Sequence, residues 1–182
     1  MQLTKRLQAV SDFVSSGGRV ADVGCDHAYI SIYLAENKIA RSVIALDINK
    51  GPLERAKANI EKYGLDRIIE TRLSDGLQRL KPDEADSIVI AGMGGALMVK
   101  ILSEGHKVMH AAKELILQPQ SEIYKVREFI DRQQFTIIAE NMVIDEGKYY
   151  FVMKAVDAAG CKEPQKYLLS KREHFHFGRL LL

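Results

Sequence analysis

The chain has 182 residues, 47% of them hydrophobic, and a formal net charge of +2 at pH 7. This length fits a single domain with a substantial core. No run of 18 apolar residues or signal-peptide core is present, so neither a membrane span nor export is expected. Cys25 and Cys161 match no CxxC or zinc spacing. We therefore expect no metal site, a reducing cytoplasmic location and no membrane partner.

The first elements in chain order are a helix, a strand and a second helix. Apolar residues recur at helical spacing from Leu3 to Val14, and Gly17-Gly18 is expected to end that helix. Residues 19–23 then form a short buried strand. Gly24 turns the chain, and a helix-compatible run covers residues 27–37.

The rest of the chain continues this alternation. A second strand over 42–47 leads to a helix capped by Asn49, with Gly64 at its end, and a third strand covers 68–73. The later expected elements are a fourth strand over 87–91 interrupted by Gly92 to Gly95, a helix ending at Gly105, a fifth strand over 115–117 stopped by Gln118-Pro119-Gln120, a helix capped by Ser121, a hairpin of strands 135–144 and 149–156, and a terminal helix from Pro164 that includes Tyr167 and Leu168.

Five rounds of strand and helix followed by a hairpin predict an α/β fold. The sheet should be doubly wound, seven-stranded and mostly parallel, with one antiparallel strand near an edge. In such a sheet, ligands bind beyond the carboxyl ends of the strands. The side chains and glycines at those ends are therefore the candidate site.

Acids and glycines follow several of these strands. Asp47 lies 23 residues after Gly24, about where a carboxylate that bonds ribose hydroxyls is expected. Asp75 suits an adenine amino group, with the backbone of Gly76 beside the ring. Asp22 could hold an ammonium group, and Gly92 allows close approach of a ligand. The simpler alternative is that these acids cap the helices that follow.

The turn after the first strand is not the dinucleotide fingerprint G-x-G-x-x-G. Asp26 and Tyr29 stand where that motif has glycines, so a pyrophosphate would meet side chains instead of bare backbone. This favours a nucleoside ligand without phosphates, and S-adenosylmethionine (SAM) is the natural candidate. An ordinary strand-turn-helix of another α/β protein remains the alternative.

Three further side chains lie in or after this turn. The Asp26 carboxylate could orient a nucleophile or accept its proton, or it could simply cap the next helix. His27 is more simply read as structural, as is Tyr29. Cys25 is flanked by acids, which disfavours a reactive thiolate.

The motifs taken together resemble one family. They are DVGCDHAY (22–29), ALDIN (45–49), SDGL (74–77), AGMGG (91–95), LQPQ (117–120) and the opening LTKRL (3–7). This set resembles the bacterial tRNA (adenine-N1)-methyltransferase family, TrmK type, whose members modify adenine 22 of tRNA.

The resemblance implies a Rossmann-like class I methyltransferase domain over residues 1–157 and the start of a C-terminal helical region over 158–182. We expect the chain to stop inside a helix that continues in the natural protein. The implied cofactor is SAM, the implied partner is tRNA, and a monomer is expected. The resemblance makes Asp26 the candidate catalytic residue and implies SAM contacts at Asp22, Gly24, Asp47, Asp75, Gly76 and Gly92.

Two other functions remain open at this point. The chain could methylate a small molecule, or it could be a non-catalytic module that binds SAM or RNA.

The acceptor atom is better constrained. Enzymes that methylate the exocyclic adenine amine typically carry [DNS]-P-P-[YF] after the fourth strand, whereas residues 91–94 here read AGMG. This difference favours a ring nitrogen as the acceptor.

Overall fold

The computed structural model describes residues 1–161 and 169–181. Its centre is one seven-stranded sheet in the order β3-β2-β1-β4-β5-β7-β6, in which β7 is antiparallel to both of its neighbours. The strands are β1 Arg19–Val23, β2 Ser42–Asp47, β3 Ile69–Leu73, β4 Ser87–Gly94, β5 Glu114–Ser121, β6 Phe135–Asp145 and β7 Lys148–Asp157. The described helices are α1 Lys5–Ser11, α2 Tyr29–Glu36, α3 Lys50–Lys62, α4 Gly95–Glu104, α5 His106–Ala111, α6 Ile123–Arg132 and α7 Arg172–Phe177. The predicted doubly wound, mostly parallel sheet is confirmed.

The sheet is covered on both faces because its central strands are apolar on both sides. In β4, Ile88 and Ile90 pack with α4, α5 and α6, whereas Val89 packs with α1, α2 and α3. All three side chains are fully buried. Parallel strands buried on both faces have continuous apolar runs of this kind. Among the described residues, no helix is both long and apolar enough to cross a bilayer.

Strands β4 and β5 extend further than the sequence predicts. The expected ends at Ala91 and Leu117 are wrong, because the two strands pair as far as Gly94 and Ser121 through register shifts. Gly92 makes this possible: its φ of +79° lets the backbone bulge and then resume the ladder. Pro119 is tolerated because β5 pairs with β7 only as far as Leu117, which leaves β5 an edge strand there.

Other differences concern the ends of helices. α1 ends at Ser11, well before the glycines that were expected to end it. α2 begins at Tyr29, because Asp26 and Ala28 both have left-handed backbone. The expected cap at Ser121 is wrong, since Ser121 ends β5 and Glu122 is the N-cap of α6. Helix α5 was not expected, because it follows α4 after the single residue Gly105.

The C-terminal segment packs against α6. A short 3₁₀ helix covers Ala158–Gly160, and α7 is the only helix described beyond it in residues 169–181. The expected helix residues Tyr167 and Leu168 lie outside the described residues. Arg127 of α6 is fully buried, pairs with Glu140 at 2.8 Å and donates to the main-chain carbonyls of Phe175 and His176. One buried ion pair therefore ties the sheet, α6 and the C-terminal segment together.

We predict that Gly95→Ala destabilises the fold by about 1–3 kcal/mol. A Cβ on Gly95 would lie 2.6 Å from the carbonyl oxygen of Ser121 and 2.7 Å from that of Glu122, so main chain would have to move. Gly94→Ala is the matched control, since its nearest neighbour would be the Ser121 hydroxyl at 3.2 Å. Thermal unfolding should show a lower Tm for Gly95→Ala, by roughly 2–4 °C per kcal/mol. Equal Tm values for the two variants would contradict this packing.

Candidate active site

A cleft lies at the carboxyl edge of the sheet and consists of two adjoining cavities. One, of about 380 Å³, is lined by Asp22, Asp26 and the N-terminal end of α1. The other, of about 310 Å³, is lined by Asp47, Asp75 and the start of α4. The residues that line both cavities are Gly24, Ala91 and Gly92. The structure thus brings all seven predicted site residues to one continuous cleft.

Two glycines form the junction of the cavities. Gly24 has a φ of +74° and donates its N–H to the carbonyl of Leu46 at 2.8 Å. Gly92 donates its N–H to Oε1 of Gln118 at 3.1 Å. Their left-handed backbone is one that other residues rarely adopt. A Cβ on Gly24 would lie 2.2 Å from Cε of Met93, and one on Gly92 would lie 3.3 Å from Nη1 of Arg6, so both positions favour glycine.

Asp47 organises the loops around the second cavity. Its Oδ1 accepts the N–H of Asn49 at 2.9 Å, and its Oδ2 accepts the N–H of Asp26 at 3.4 Å. The predicted helix cap is Asn49, which occupies the N-cap of α3 without a side-chain capping bond. The Asp47 carboxylate is thus held by two loops at once and lines the cavity.

Asp22 is a buried carboxylate on the wall of the first cavity. Its only described side-chain partner is Ser31, whose hydroxyl donates to Oδ2 at 2.6 Å. Burial raises the pKa of Asp22 to about 6, against the lowering effect of the Ser31 hydrogen bonds. The negative charge of Asp47 adds to the rise. A buried, partly protonated acid of this kind is sensitive to any cation that enters the cleft.

Asp26 lies in a strained turn between β1 and α2. Its φ is +46°, that of Ala28 is +58°, and aspartate tolerates this conformation better than most residues. The N-cap of α2 is Ala28, with no side-chain capping bond, so the alternative that Asp26 caps the helix is wrong. Its side chain is 63% exposed, with Oδ1 3.4 Å from the Arg55 guanidinium. An exposed pair at this distance contributes little to stability, which leaves the carboxylate free to meet a ligand.

Asp75 and Gly76 follow β3 as predicted. The Asp75 side chain is exposed and forms no side-chain hydrogen bond to a described residue. The turn is shaped by its buried neighbour Ser74, whose hydroxyl donates to the carbonyl of Gly76 and accepts the N–H of Arg79. No helix follows β3 before β4, so Asp75 does not cap one. Its carboxylate is a free acceptor at the edge of the cleft.

The sequence analysis assigned no role in the cleft to Arg6, which lines the first cavity. Gln118 is fully buried, and its Oε1 accepts both the N–H of Gly92 and Nη1 of Arg6 at 3.1 Å. Arg6 and Gln118 are 112 residues apart in the sequence, so no local pattern could reveal their contact. The one available signal was the position of Arg6 inside LTKRL.

The neighbours of Asp26 have structural contacts. The rings of His27 and Tyr29 stack with centroids 5.3 Å apart, and the carbonyl of His27 accepts a hydrogen bond from Asn59. Tyr29 is still 44% exposed and lines the first cavity. Burial, with the charges of Asp22 and Asp47, raises the pKa of the Cys25 thiol, which confirms that this cysteine is no reactive thiolate.

The strand order, the antiparallel β7 and the cleft at the glycine turn define a class I methyltransferase architecture. A model of the methyltransferase domain family matches residues 3–153, and the chain therefore belongs to that family.

Particular members of the family are similar to this chain. The tRNA (adenine(22)-N(1))-methyltransferase of Bacillus subtilis is 41% identical over 155 residues, which cover 85% of this chain. The match spans 65% of the length of that curated relative.

Two solved structures are also similar. The crystal structure of Streptococcus pneumoniae Sp1610, a putative tRNA (m1A22) methyltransferase, in complex with SAM superposes with a TM-score of 0.91 at 34% identity, covering 99% of this chain and 81% of that one. The structure of M. capricolum TrmK in complex with S-adenosylhomocysteine (SAH) gives a TM-score of 0.85 at 28% identity, covering 98% of this chain and 76% of that one. The resemblance seen in the motifs is thereby confirmed at the level of the family.

Proposed function

We propose that this protein transfers a methyl group from SAM to nitrogen 1 of adenine 22 in tRNA. The observation that carries the proposal is the single cleft in which three strand-end acids and two glycines meet the exposed Asp26 carboxylate. The similarity to a tRNA (adenine(22)-N(1))-methyltransferase over 85% of the chain supports the choice of substrate.

The residues of the cleft fit a cationic nucleoside. Asp22, Asp47 and Asp75 bring negative charge to the two cavities, which attracts a sulfonium and an ammonium and repels a pyrophosphate. Gly24 and Gly92 line both cavities. When bound, SAM supplies a methyl group on an electron-poor sulfur.

Each cleft residue then has a role that its position supports. Asp47 accepts hydrogen bonds from the ribose hydroxyls. The free carboxylate of Asp75 accepts from the adenine amine, beside the main chain of Gly76. In the other cavity, Asp22 pairs with the ammonium of the methionine part. Gly24 and Gly92 let the ligand lie against the main chain between them.

Asp26 acts on the acceptor base. Nitrogen 1 attacks through a lone pair in the plane of the ring, and the base gains positive charge as the new bond forms. A carboxylate beside the ring stabilises that charge or accepts the proton that the amino group releases. Holding both reactants in one cleft supplies much of the remaining rate enhancement. Because nitrogen 1 lies on the pairing edge, the base must be unpaired or flipped out of its helix.

We extend the proposal to the organisation of the chain. Residues 1–157 form the methyltransferase domain, and residues 158–182 begin a C-terminal helical region that takes part in binding tRNA. Arg127 anchors the described part of the C-terminal segment to the domain through the carbonyls of Phe175 and His176. We propose that the protein acts as a monomer in the cytoplasm, where tRNA is found.

The affinity for SAM should depend on pH through Asp22. Its pKa of about 6 in the folded protein means that the carboxylate is ionised at pH 7.5 and mostly protonated at pH 5. Protonation removes the charge that pairs with the ammonium, so affinity should fall by up to about tenfold between pH 7.5 and 5. Asp22→Asn should bind weakly and without this pH dependence. Calorimetric titrations with SAH from pH 5 to 8 test this, and equal pH profiles for the two proteins would contradict it.

Methylation of defined transcripts tests the proposed function. The protein is incubated with methyl-labelled SAM and an unmodified tRNA that has adenine at position 22, and the nucleosides are then analysed. Label in 1-methyladenosine is expected, and a transcript with uracil at position 22 should receive none. Label on another nucleoside, or equal labelling of both transcripts, would overturn the assignment.

A further inference from the structure

The candidate catalytic carboxylate has a cation beside it that the proposed function has not used. Nη2 of Arg55 in α3 lies 3.4 Å from Oδ1 of Asp26, and the two side chains are 52% and 63% exposed. Among the described residues, this is the only ion pair that Arg55 makes. It uses one of the several N–H donors of the guanidinium. Because the pair is exposed and longer than a strong charge-assisted hydrogen bond, it holds Arg55 weakly.

The turn that carries Asp26 does not depend on this pair. Asn59, one helical turn after Arg55, ties the turn to α3, because its Nδ2 donates to the carbonyl of His27 at 3.1 Å. On the other side, the N–H of Asp26 donates to Oδ2 of Asp47 at 3.4 Å. The Arg55 guanidinium can therefore exchange its partner while the turn stays in place.

Arg55 lies at the rim of the cleft. Asp26 lines the first cavity, whereas Arg55 lines neither cavity. An adenine that enters the cleft leaves its phosphates outside, because the walls of both cavities carry carboxylates that repel an anion. The phosphates of the target nucleotide are thus brought to the rim beside Asp26. A guanidinium is the side chain best suited to bind them there.

A fixed orienting role toward Asp26 fits the geometry less well. A guanidinium that orients a carboxylate makes short, often bidentate bonds to it, whereas Arg55 approaches a single oxygen at 3.4 Å. The Nε2 atom of His27 is 3.8 Å from the same oxygen, so Arg55 is not its only neighbour. The observed contact is a resting position from which a phosphate displaces the carboxylate.

We infer that Arg55 binds a phosphate of the RNA strand that carries the target adenine, and that it leaves Asp26 when it does. The inference rests on the proposed function, since it assumes that tRNA enters this cleft. Before RNA binds, the guanidinium offsets part of the negative charge at the rim, which favours the approach of an anion. Once the phosphate holds Arg55, the Asp26 carboxylate is released to act on the adenine ring. The arrival of the substrate and the release of the catalytic carboxylate are thereby coupled.

Arg55→Met tests the phosphate contact, because it keeps much of the apolar stem and removes the charge. With SAH present, the affinity for an unmodified tRNA transcript should fall roughly tenfold. The slope of log affinity against log salt concentration should become shallower by about 0.7 to 0.9, the contribution of one phosphate. The affinity for SAH and the turnover at saturating tRNA should remain those of the wild type. Arg55→Lys should restore the slope and most of the affinity.

Lys62→Met is the matched control. Lys62 is an exposed cation in the last turn of α3. Because α3 begins directly after β2, at the carboxyl edge of the sheet, its last turn lies away from the cleft. This variant should bind tRNA with the affinity and the salt dependence of the wild type.

The exchange of partners has its own test in Asp26→Asn. Removing the carboxylate leaves Arg55 without its resting partner, so the affinity for tRNA should rise by up to about fivefold. In the double variant with Arg55→Met, this gain should be lost, because no guanidinium remains to be released. A gain of the same size in both backgrounds would show that Asp26 only repels RNA, and it would refute the exchange.

Three other results would overturn the assignment. Unchanged tRNA affinity in Arg55→Met, with lower turnover at saturating tRNA, would mean that Arg55 only orients Asp26. A parallel loss of SAH affinity would mean that it maintains the cleft. Equal losses in Arg55→Met and Lys62→Met would mean that α3 attracts RNA without a specific contact.

Failure of the proposed function would look different. A wild-type protein that binds tRNA but does not methylate adenine 22 would refute that function. The tenfold loss of affinity in Arg55→Met would still support the phosphate contact, because it is measured by binding alone.

Discussion

Replacing Asp26 with alanine is expected to reduce methyl transfer to tRNA by roughly 10²- to 10⁴-fold, the usual contribution of a proton-accepting side chain. The affinity for SAM should remain nearly unchanged. The reason is that Asp26 supports the loop through its main-chain N–H, which bonds Asp47, whereas its carboxylate is 63% exposed in the cleft. Single-turnover kinetics with a saturating tRNA transcript, together with calorimetric titration of SAH, measure the two effects separately.

Asp26→Asn controls for strain in the turn. Alanine tolerates a φ of +46° less well than asparagine does, so the asparagine variant keeps the turn while removing the charge. It should lose turnover to the same degree as the alanine variant. Asp66→Asn is the matched surface control, because Asp66 is an exposed acid before β3 at the opposite edge of the sheet. Unchanged turnover in Asp26→Asn would remove this carboxylate from the mechanism.

Asp47→Ala should show the largest loss of cofactor affinity. Two hydrogen bonds from ribose hydroxyls to a charged acceptor are worth about 1.5–3 kcal/mol each, which corresponds to a loss of roughly 10²- to 10⁴-fold. The variant also releases the N–H groups of Asn49 and Asp26, so the loops on both sides of the cleft lose their common anchor. Calorimetric titration with SAH measures the loss.

A comparison of ligands separates the two effects of Asp47. The wild type should prefer SAH to its 2′,3′-dideoxy analogue, and Asp47→Ala should lose that preference. Asp47→Asn keeps one acceptor oxygen for Asn49 and should give an intermediate affinity. Asp47→Ala with wild-type affinity for SAH would contradict the assigned ribose contact.

Local patterns were sufficient to predict most of the sheet. The apolar runs of β1 and β2 end in acids at Asp22 and Asp47, and because parallel strands end at one edge, these acids had to lie together. The hairpin between β6 and β7 was predicted from the two strand patterns on either side of residues 145–148. The structure confirms it, and Glu146 and Gly147 have the positive φ that such a turn requires.

The errors arise where distant contacts override local signals. Gly92 and Pro119 are usually breakers, yet β4 and β5 continue past them because the two strands pair with each other. The sequence left helix capping as an equal alternative role for Asp26. The structure excludes it, because the N-cap of α2 is Ala28, which has a left-handed backbone. Arg6 and Gln118 meet only in the folded chain, so their contact could not be predicted from the sequence around either.

A crystal structure of the protein with SAH bound tests the central claim most directly. We expect the adenosine between Asp47 and Asp75, the amino-acid tail beside Asp22, and the sulfur facing the space beside the Asp26 carboxylate. A ligand bound outside this cleft, or an Asp26 carboxylate directed away from the sulfur, would contradict it.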